Sequence, residues 1–190
     1  MAFELDHVFI CTAAGAPEAA SLIAFGLTEG TPNTHPGQGT ANRRFFFRNA
    51  MLELVWVRDP SEAQSEPARS IHLWERWAGR DGAACPFGFC FRPAERGAGD
   101  LPFSTWQYHP PDEVTRSIPV ATNAHVLAEP LLFYFDFNRR PDVRGPRDSL
   151  SITPPVSARS PASSLCYFPR AEGGDGCQSP AAARGRSLSS

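Results

Sequence analysis

Lysine is absent from this chain: all 18 basic side chains are arginines, set against 20 acidic ones. Without lysine the chain cannot form a Schiff base or supply the lysine of a Walker phosphate loop, so both kinds of active site are excluded. The formal charge of −2 predicts no basic surface for nucleic acid or for an anionic membrane, and neither is expected as a partner. The bias toward arginine is itself typical of a GC-rich gene.

Cysteine pairs and long apolar runs are also lacking. The chain has five cysteines, an odd number without a C-x-x-C pair: Cys11, Cys85, Cys90, Cys166 and Cys177. This usage indicates a reduced intracellular protein rather than a disulfide scaffold. No apolar stretch approaches the roughly 20 residues that span a bilayer, and the polar start at Glu4 and Asp6 does not fit a signal peptide. The cytoplasm is therefore the expected location.

Two short strand patterns each carry one ionisable residue on an otherwise apolar face. Alternation in 3–10 places His7 on the same face as Leu5 and Phe9. In 51–57 the same rule places Glu53 beside Val55. A carboxylate that faces inward among apolar side chains costs free energy unless it has a partner or a metal ion. The pair could satisfy each other or bind one divalent ion.

The segment 1–58 reads as strand, helix and three further strands. Pro17 suits the first position of a helix, and Gly26 suits the left-handed position after its end. Strand patterns follow at about 42–48 and 51–57, joined by the tight Asn49-Ala50 connection.

The rest of the chain divides at residue 137. From about 59 to 137 we predict a helix over 68–77, a strand over 86–92 and a central, fully apolar strand over 131–137. From 138 to 190 the composition shifts to proline, serine, arginine, glycine and alanine. This region is predicted to be a low-complexity, largely disordered tail, with at most a short strand near 165–168.

Three segments of 1–137 resemble the first module of the vicinal oxygen chelate superfamily, the glyoxalase, bleomycin-resistance and extradiol dioxygenase group. They are Leu5-Asp6-His7-Val8, Thr40-Ala41-Asn42-Arg43-Arg44-Phe45 and Leu52-Glu53-Leu54-Val55. The resemblance implies an α+β fold of paired βαβββ modules, with curved mixed sheets around a cavity. Module one would be 1–58 and module two about 59–137. The second module departs from the pattern: its opening strand has Cys90 but no histidine, and no final strand with a glutamate precedes the tail, so it is expected to be incomplete.

In that superfamily, metal ligands come from the first and last strands of each module. The resemblance therefore implies that His7 and Glu53 bind a divalent ion, with Glu53 also catalytic. Mixed nitrogen and oxygen ligands suit Zn, Fe, Mn or Ni. The leading function is a metal-assisted lyase, isomerase or dioxygenase acting on a small oxygenated substrate. The alternatives are a metal-free small-molecule binding protein of the bleomycin-resistance kind and an inactive remnant.

The loop 35–40 is glycine-rich but leads into a strand rather than a helix, so it does not match a phosphate-binding loop. We expect it to cap the cavity. His35, together with Asn42 or Arg43 at the entry of the next strand, would then contact a small-molecule ligand. Arg76 is a weaker candidate.

Each of these assignments has a structural alternative. His7 could be a core histidine held by a neighbouring carboxylate, and Glu53 could pair with Arg44 on the adjacent strand. The candidate arginines, Arg43 and Arg76, could be solvated surface residues. An incomplete second module would also leave a sheet edge exposed, through which the chain could form a homodimer.

Overall fold

A mixed sheet of eight strands forms the framework of the computed structural model, which describes residues 3–95, 101, 103–113 and 115–140. The strands are β1 Phe3–Cys11, β2 Asn33–His35, β3 Thr40–Phe46, β4 Met51–Val57, β5 Phe87–Pro93, β6 Thr105–Tyr108, β7 Ile118–Ala121 and β8 Leu131–Tyr134. With only short helices beside this sheet, the fold belongs to the expected α+β class.

The sheet has the same arrangement on either side of its centre. Its strand order is β2-β3-β4-β1-β5-β8-β7-β6, with β1 and β5 antiparallel in the middle. β4 lies parallel to β1, and β8 lies parallel to β5 in the corresponding place. The described part of the second half thus has four strands, whereas the sequence led us to expect an incomplete module. Among the described residues, no helix lies between β5 and β6.

The helix of the first half begins and ends near the predicted signals. Helix α1 spans Ala19–Ala24, and Gly26 after it has a φ of 104°. Backbone N–H groups of Gly26 and Leu27 donate to the carbonyls of Ile23 and Leu22, which closes the helix in a Schellman motif. The helix packs on one face of the sheet, where its fully buried Ala19 belongs to a cluster with Phe45 of β3 and Leu54 of β4.

The region after β4 is less regular than its sequence suggests. Helix α2 spans Pro60–Ala63, and the carboxylate of Asp59 caps it. The continuous helix expected over 68–77 is wrong: a 3₁₀ turn at Ala68–Ile71 and helix α3 at Leu73–Ala78 are separated by His72, whose φ is 53°. This left-handed residue breaks the hydrogen-bond ladder, so the apolar side chains lie on two short elements instead of one.

The opposite face of the sheet holds the larger apolar core and one open cavity. Its buried members come from both halves of the chain: Phe9 and Val55 belong to the first half, and Ile71, Val120 and Leu131 belong to the second. Both halves therefore contribute to the core beside the cavity, whereas a smaller core on the other face of the sheet belongs to the first half.

The predicted tail, apart from its first three residues, and the strand considered near 165–168 lie outside the described residues. Within the described part of the chain, every helix is too short to cross a membrane.

Candidate functional site

A cavity of about 320 Å³ lies on this face of the sheet, and it brings His7 and Glu53 together. The polar part of its lining, called the polar wall, includes His7, His35, Thr40, Asn42, Glu53 and Tyr108. Its apolar lining includes Phe9, Val55, Leu73, Ile118, Phe133 and Phe135. The predicted alternation places each cavity residue of β1 and β4 on the observed face.

Glu53 has two buried partners at the floor of this cavity. Its Oε2 lies 3.5 Å from Nε2 of His7, and its Oε1 accepts a hydrogen bond from the amide of Asn42. The Oδ1 of Asn42 in turn accepts from the backbone N–H of Asn33 at 2.8 Å. The polar wall is therefore a connected network that extends across four strands of the sheet, from β1 through β4 and β3 to β2.

A second carboxylate holds the other side of the imidazole. Oδ1 of Asp6 lies 2.7 Å from Nδ1 of His7. Arg92 donates to Oδ2 of Asp6 at 3.0 Å, and also to Glu4 at 2.9 Å and to the carbonyl of Asn49 at 2.5 Å. The buried charges consequently alternate in sign from Arg92 through Asp6 and His7 to Glu53.

These contacts determine the protonation of the network. Burial alone would lower the pKa of His7, but the neighbouring Cys90, Asp6 and Glu53 outweigh it and raise that pKa well above its ordinary value. Burial would raise the pKa of Asp6, but His7 and Arg92 together lower it. Burial also raises the pKa of the Cys90 thiol. These directions favour a charged imidazolium at His7, an ionised carboxylate at Asp6 and a protonated thiol at Cys90.

His7 and Glu53 are the predicted ligands of a metal ion in this cavity. A stable protein site for Zn or a similar ion uses at least three side-chain ligands. The described part of the chain contains no group of three or more His, Cys, Asp or Glu side chains suited to an ion. Phe133 and Phe135, which also line the cavity, have no ligand atoms. The described residues therefore supply two ligands, His7 and Glu53, and do not complete a metal site.

Of the residues predicted to contact a ligand, the structure brings His35 and Asn42 to the cavity but not Arg43. His35 and Thr40 line it, and Nδ1 of His35 lies 2.9 Å from Oγ1 of Thr40. Arg43 instead pairs with Glu29 at 2.5 Å on the other face of the sheet. Neighbouring residues of a strand point to opposite faces, so Asn42 and Arg43 cannot both reach the cavity.

Arg44 and Arg76 have roles that the sequence did not indicate. Arg44 lies opposite Glu53 in the β3–β4 ladder and lines the cavity, but its Nε donates to the carbonyl of Thr31. The partners of Glu53 are therefore His7 and Asn42. Arg76 is fully buried away from the cavity, and its guanidinium donates to backbone carbonyls between residues 124 and 129. It fixes that loop and is not among the residues that line the cavity.

The sequence analysis overlooked the supporting residues Asp6, Arg92 and Tyr108. The hydroxyl of Tyr108 donates to Gln38 of the 35–40 loop at 3.3 Å, which links the two halves over the cavity. Burial raises the pKa of Tyr108. Asp6 had one available signal, its position next to His7. Simple alternation, however, would place it on the opposite face.

Comparisons with known proteins match one family to this chain. A family model described as a glyoxalase-like domain matches residues 5–117, more than half of the chain. No curated protein matches. A crystal structure of a hypothetical protein from Staphylococcus aureus has 12% sequence identity and a TM-score of 0.35. That alignment covers 70% of this chain and 59% of the other, so the chain spans less than two thirds of that protein.

Proposed function

Since the chain belongs to the glyoxalase-like domain family, we propose that it binds a small oxygenated molecule in the cavity without a resident metal ion. The observation that carries this proposal is that one cavity combines the polar groups of His7 and Glu53 with the aromatic rings of Phe133 and Phe135. Such a lining suits a ligand that has both hydrogen-bonding groups and apolar surface.

The chemistry of the polar wall narrows the kind of ligand. The His7 imidazolium presents a donor at Nε2, the Glu53 carboxylate accepts, and the Asn42 amide orients that carboxylate. A carbonyl or hydroxyl group fits between such a donor and acceptor. At about 320 Å³, the cavity is at the small end of ligand pockets, which favours a small metabolite over a nucleotide cofactor.

A matched pair of variants on β3 tests this proposal. Small aromatic and aliphatic carbonyl, hydroxyl and carboxyl compounds are screened by ligand-observed NMR, and the hits are titrated against wild type, Asn42→Ala and Arg43→Ala. We expect Asn42→Ala to weaken binding about tenfold, equivalent to ~1.4 kcal/mol, and Arg43→Ala to leave it unchanged. Equal affinity in all three proteins would place the binding site elsewhere.

A metal-assisted enzyme is the second candidate, and one distance favours it. The 3.5 Å between Nε2 of His7 and Oε2 of Glu53 allows both atoms to reach one ion at ligand distances of about 2.0–2.2 Å. The ion would be Zn, Fe, Mn or Ni, its remaining positions would be filled by water or substrate, and it would supply Lewis-acid chemistry for a lyase, isomerase or dioxygenase.

Metal analysis separates the two candidates. Protein purified without a histidine tag is assayed for bound metal, and its melting temperature is measured with added Zn, Fe, Mn or Ni. The metal-free proposal expects neither stoichiometric metal nor stabilisation. A stabilisation that Glu53→Gln removes, and that the exposed control Glu66→Gln keeps, would favour the enzyme instead. If neither metal nor any compound binds, the chain is an inactive remnant.

A further inference from the structure

A bulge in β1 places two consecutive polar side chains in the same buried network. Leu5 pairs with Phe91 and His7 pairs with Cys90 in the β1–β5 ladder, so Asp6 is an extra residue with no partner on β5. Bulges of this kind redirect a side chain that would otherwise point to the other face. As a result, the carboxylate of Asp6 turns toward the ring of the next residue, 2.7 Å from Nδ1 of His7.

Arg92 fixes the carboxylate of Asp6 from its other side. Arg92 is 1% exposed and donates to Oδ2 of Asp6 at 3.0 Å, which leaves Oδ1 for the imidazole. The same guanidinium contacts Glu4 and the carbonyl of Asn49, so its own position is set by three partners. Asp6 is therefore held from two directions.

We propose that Asp6 is a positioning residue, which accepts the Nδ1–H of His7 and thereby directs Nε2 toward Glu53 and the cavity. An ionised carboxylate is an acceptor only, so Nδ1 must carry the hydrogen in either charge state of the ring. Nε2 then presents a hydrogen when the ring is charged and a lone pair when it is neutral. The binding of a ligand by Nε2 rests on the proposed function, but the orientation of the ring does not.

NMR of the imidazole nitrogens in ¹⁵N-labelled protein without ligand tests this inference. The chain has five histidines, and the difference between wild-type and His7→Gln spectra assigns the His7 signals. In wild type we expect a downfield Nδ1–H signal that exchanges slowly with water. A wild-type spectrum in which Nδ1 of His7 carries no hydrogen overturns the proposal, and this test needs no variant of Asp6.

Two variants, each altering one of the carboxylates that Arg92 binds, provide the matched comparison. Asp6→Asn should cause loss of the slowly exchanging Nδ1–H signal, whereas Glu4→Gln, which alters the other carboxylate on Arg92, should leave that signal in place. Circular dichroism confirms that each variant is folded. Loss of the signal in both variants, or in neither, overturns the proposal. Failure to find a binding compound would count against the proposed function and would not change this spectrum.

Discussion

His7 and Glu53 meet diagonally across the parallel β1–β4 ladder. His7 is paired with Met51 and Glu53 with Phe9, yet the 3.5 Å contact joins Nε2 of His7 to Oε2 of Glu53. Residues two positions apart in a ladder share a face, which is why two long polar side chains can meet there. Because Glu53 lies beside His7 only in the folded protein, this contact helps to raise the pKa of the imidazole in the folded state.

The raised pKa of His7 predicts that stability falls as the pH rises. Burial opposes the charged ring, but Cys90, Asp6 and Glu53 outweigh it, so the folded protein retains a proton that the unfolded chain releases. The stabilisation is fully present below about pH 6.5 and is lost as the pH rises through the folded-state pKa. Urea unfolding between pH 6 and 9 measures this loss.

The variant His7→Gln is the control for this pH dependence. It removes the titrating ring, so the free energy of unfolding should fall less steeply with pH than in wild type. The difference in slope for one proton is at most about 1.4 kcal/mol per pH unit. Parallel curves for the two proteins would contradict the assignment to His7.

Arg92→Ala should destabilise the protein strongly. It leaves the buried carboxylate of Asp6 without its cation and also removes the contact with Glu4. Breaking a buried ion pair from one side costs about 3–5 kcal/mol. The exposed pair of Arg69 with Glu66 provides the control, because Arg69→Ala should cost less than about 1 kcal/mol. Chemical denaturation compares the two variants, and similar losses would show that the Arg92 network contributes little.

Gly88→Ala should displace an aromatic side chain of the cavity. A Cβ at this position would lie 1.9 Å from the ring of Phe9, with which Gly88 is paired in the β1–β5 ladder. Overpacking of this kind costs about 1–3 kcal/mol. A double-mutant cycle with Phe9→Leu is the measurement, since the smaller side chain should relieve most of the cost. Additive losses would mean that the backbone, and not Phe9, absorbs the added methyl group.

Arg76→Gln should reduce stability without changing ligand binding. The variant removes the donor to the buried carbonyl of Ala124 and to the partly buried carbonyls of Val126 and Glu129, and an unsatisfied buried group costs about 1–3 kcal/mol. Arg80→Gln, two residues after the end of α3, is the milder control. Thermal unfolding gives the loss of stability, and titration of the compounds found with wild type gives the affinity. Weaker binding by folded Arg76→Gln would restore Arg76 as a ligand contact.

Local patterns in the sequence were sufficient to locate β1, β3, β4 and the helix of the first half. Strand alternation placed His7 and Glu53 on the faces where they occur, and Pro17 and Gly26 marked the ends of α1. These features depend on neighbours a few residues away, which is why a single sequence contains them. The resemblance to the glyoxalase group rests on the same segments, and the family match confirms it.

Two short strands of the second half could not be predicted in the same way, although β8 lies within the predicted strand 131–137. Each of β6 and β7 has four residues, which is too short for a clear period. The places of all three strands in the sheet come from pairing with distant strands, as when β8 joins β5 in parallel.

The sequence by itself determined which residue types face the cavity from β1 and β4, because burial of alternate side chains is a local property of a strand. The tertiary structure decided which partners those residues have. The bulge that turns Asp6 toward His7, the insertion of Arg92 between Asp6 and Glu4, and the orientation of Arg43 away from the cavity each involve segments far apart in the chain. Such contacts exist only when the strands pair, because pairing brings charges together that are distant in the unfolded chain.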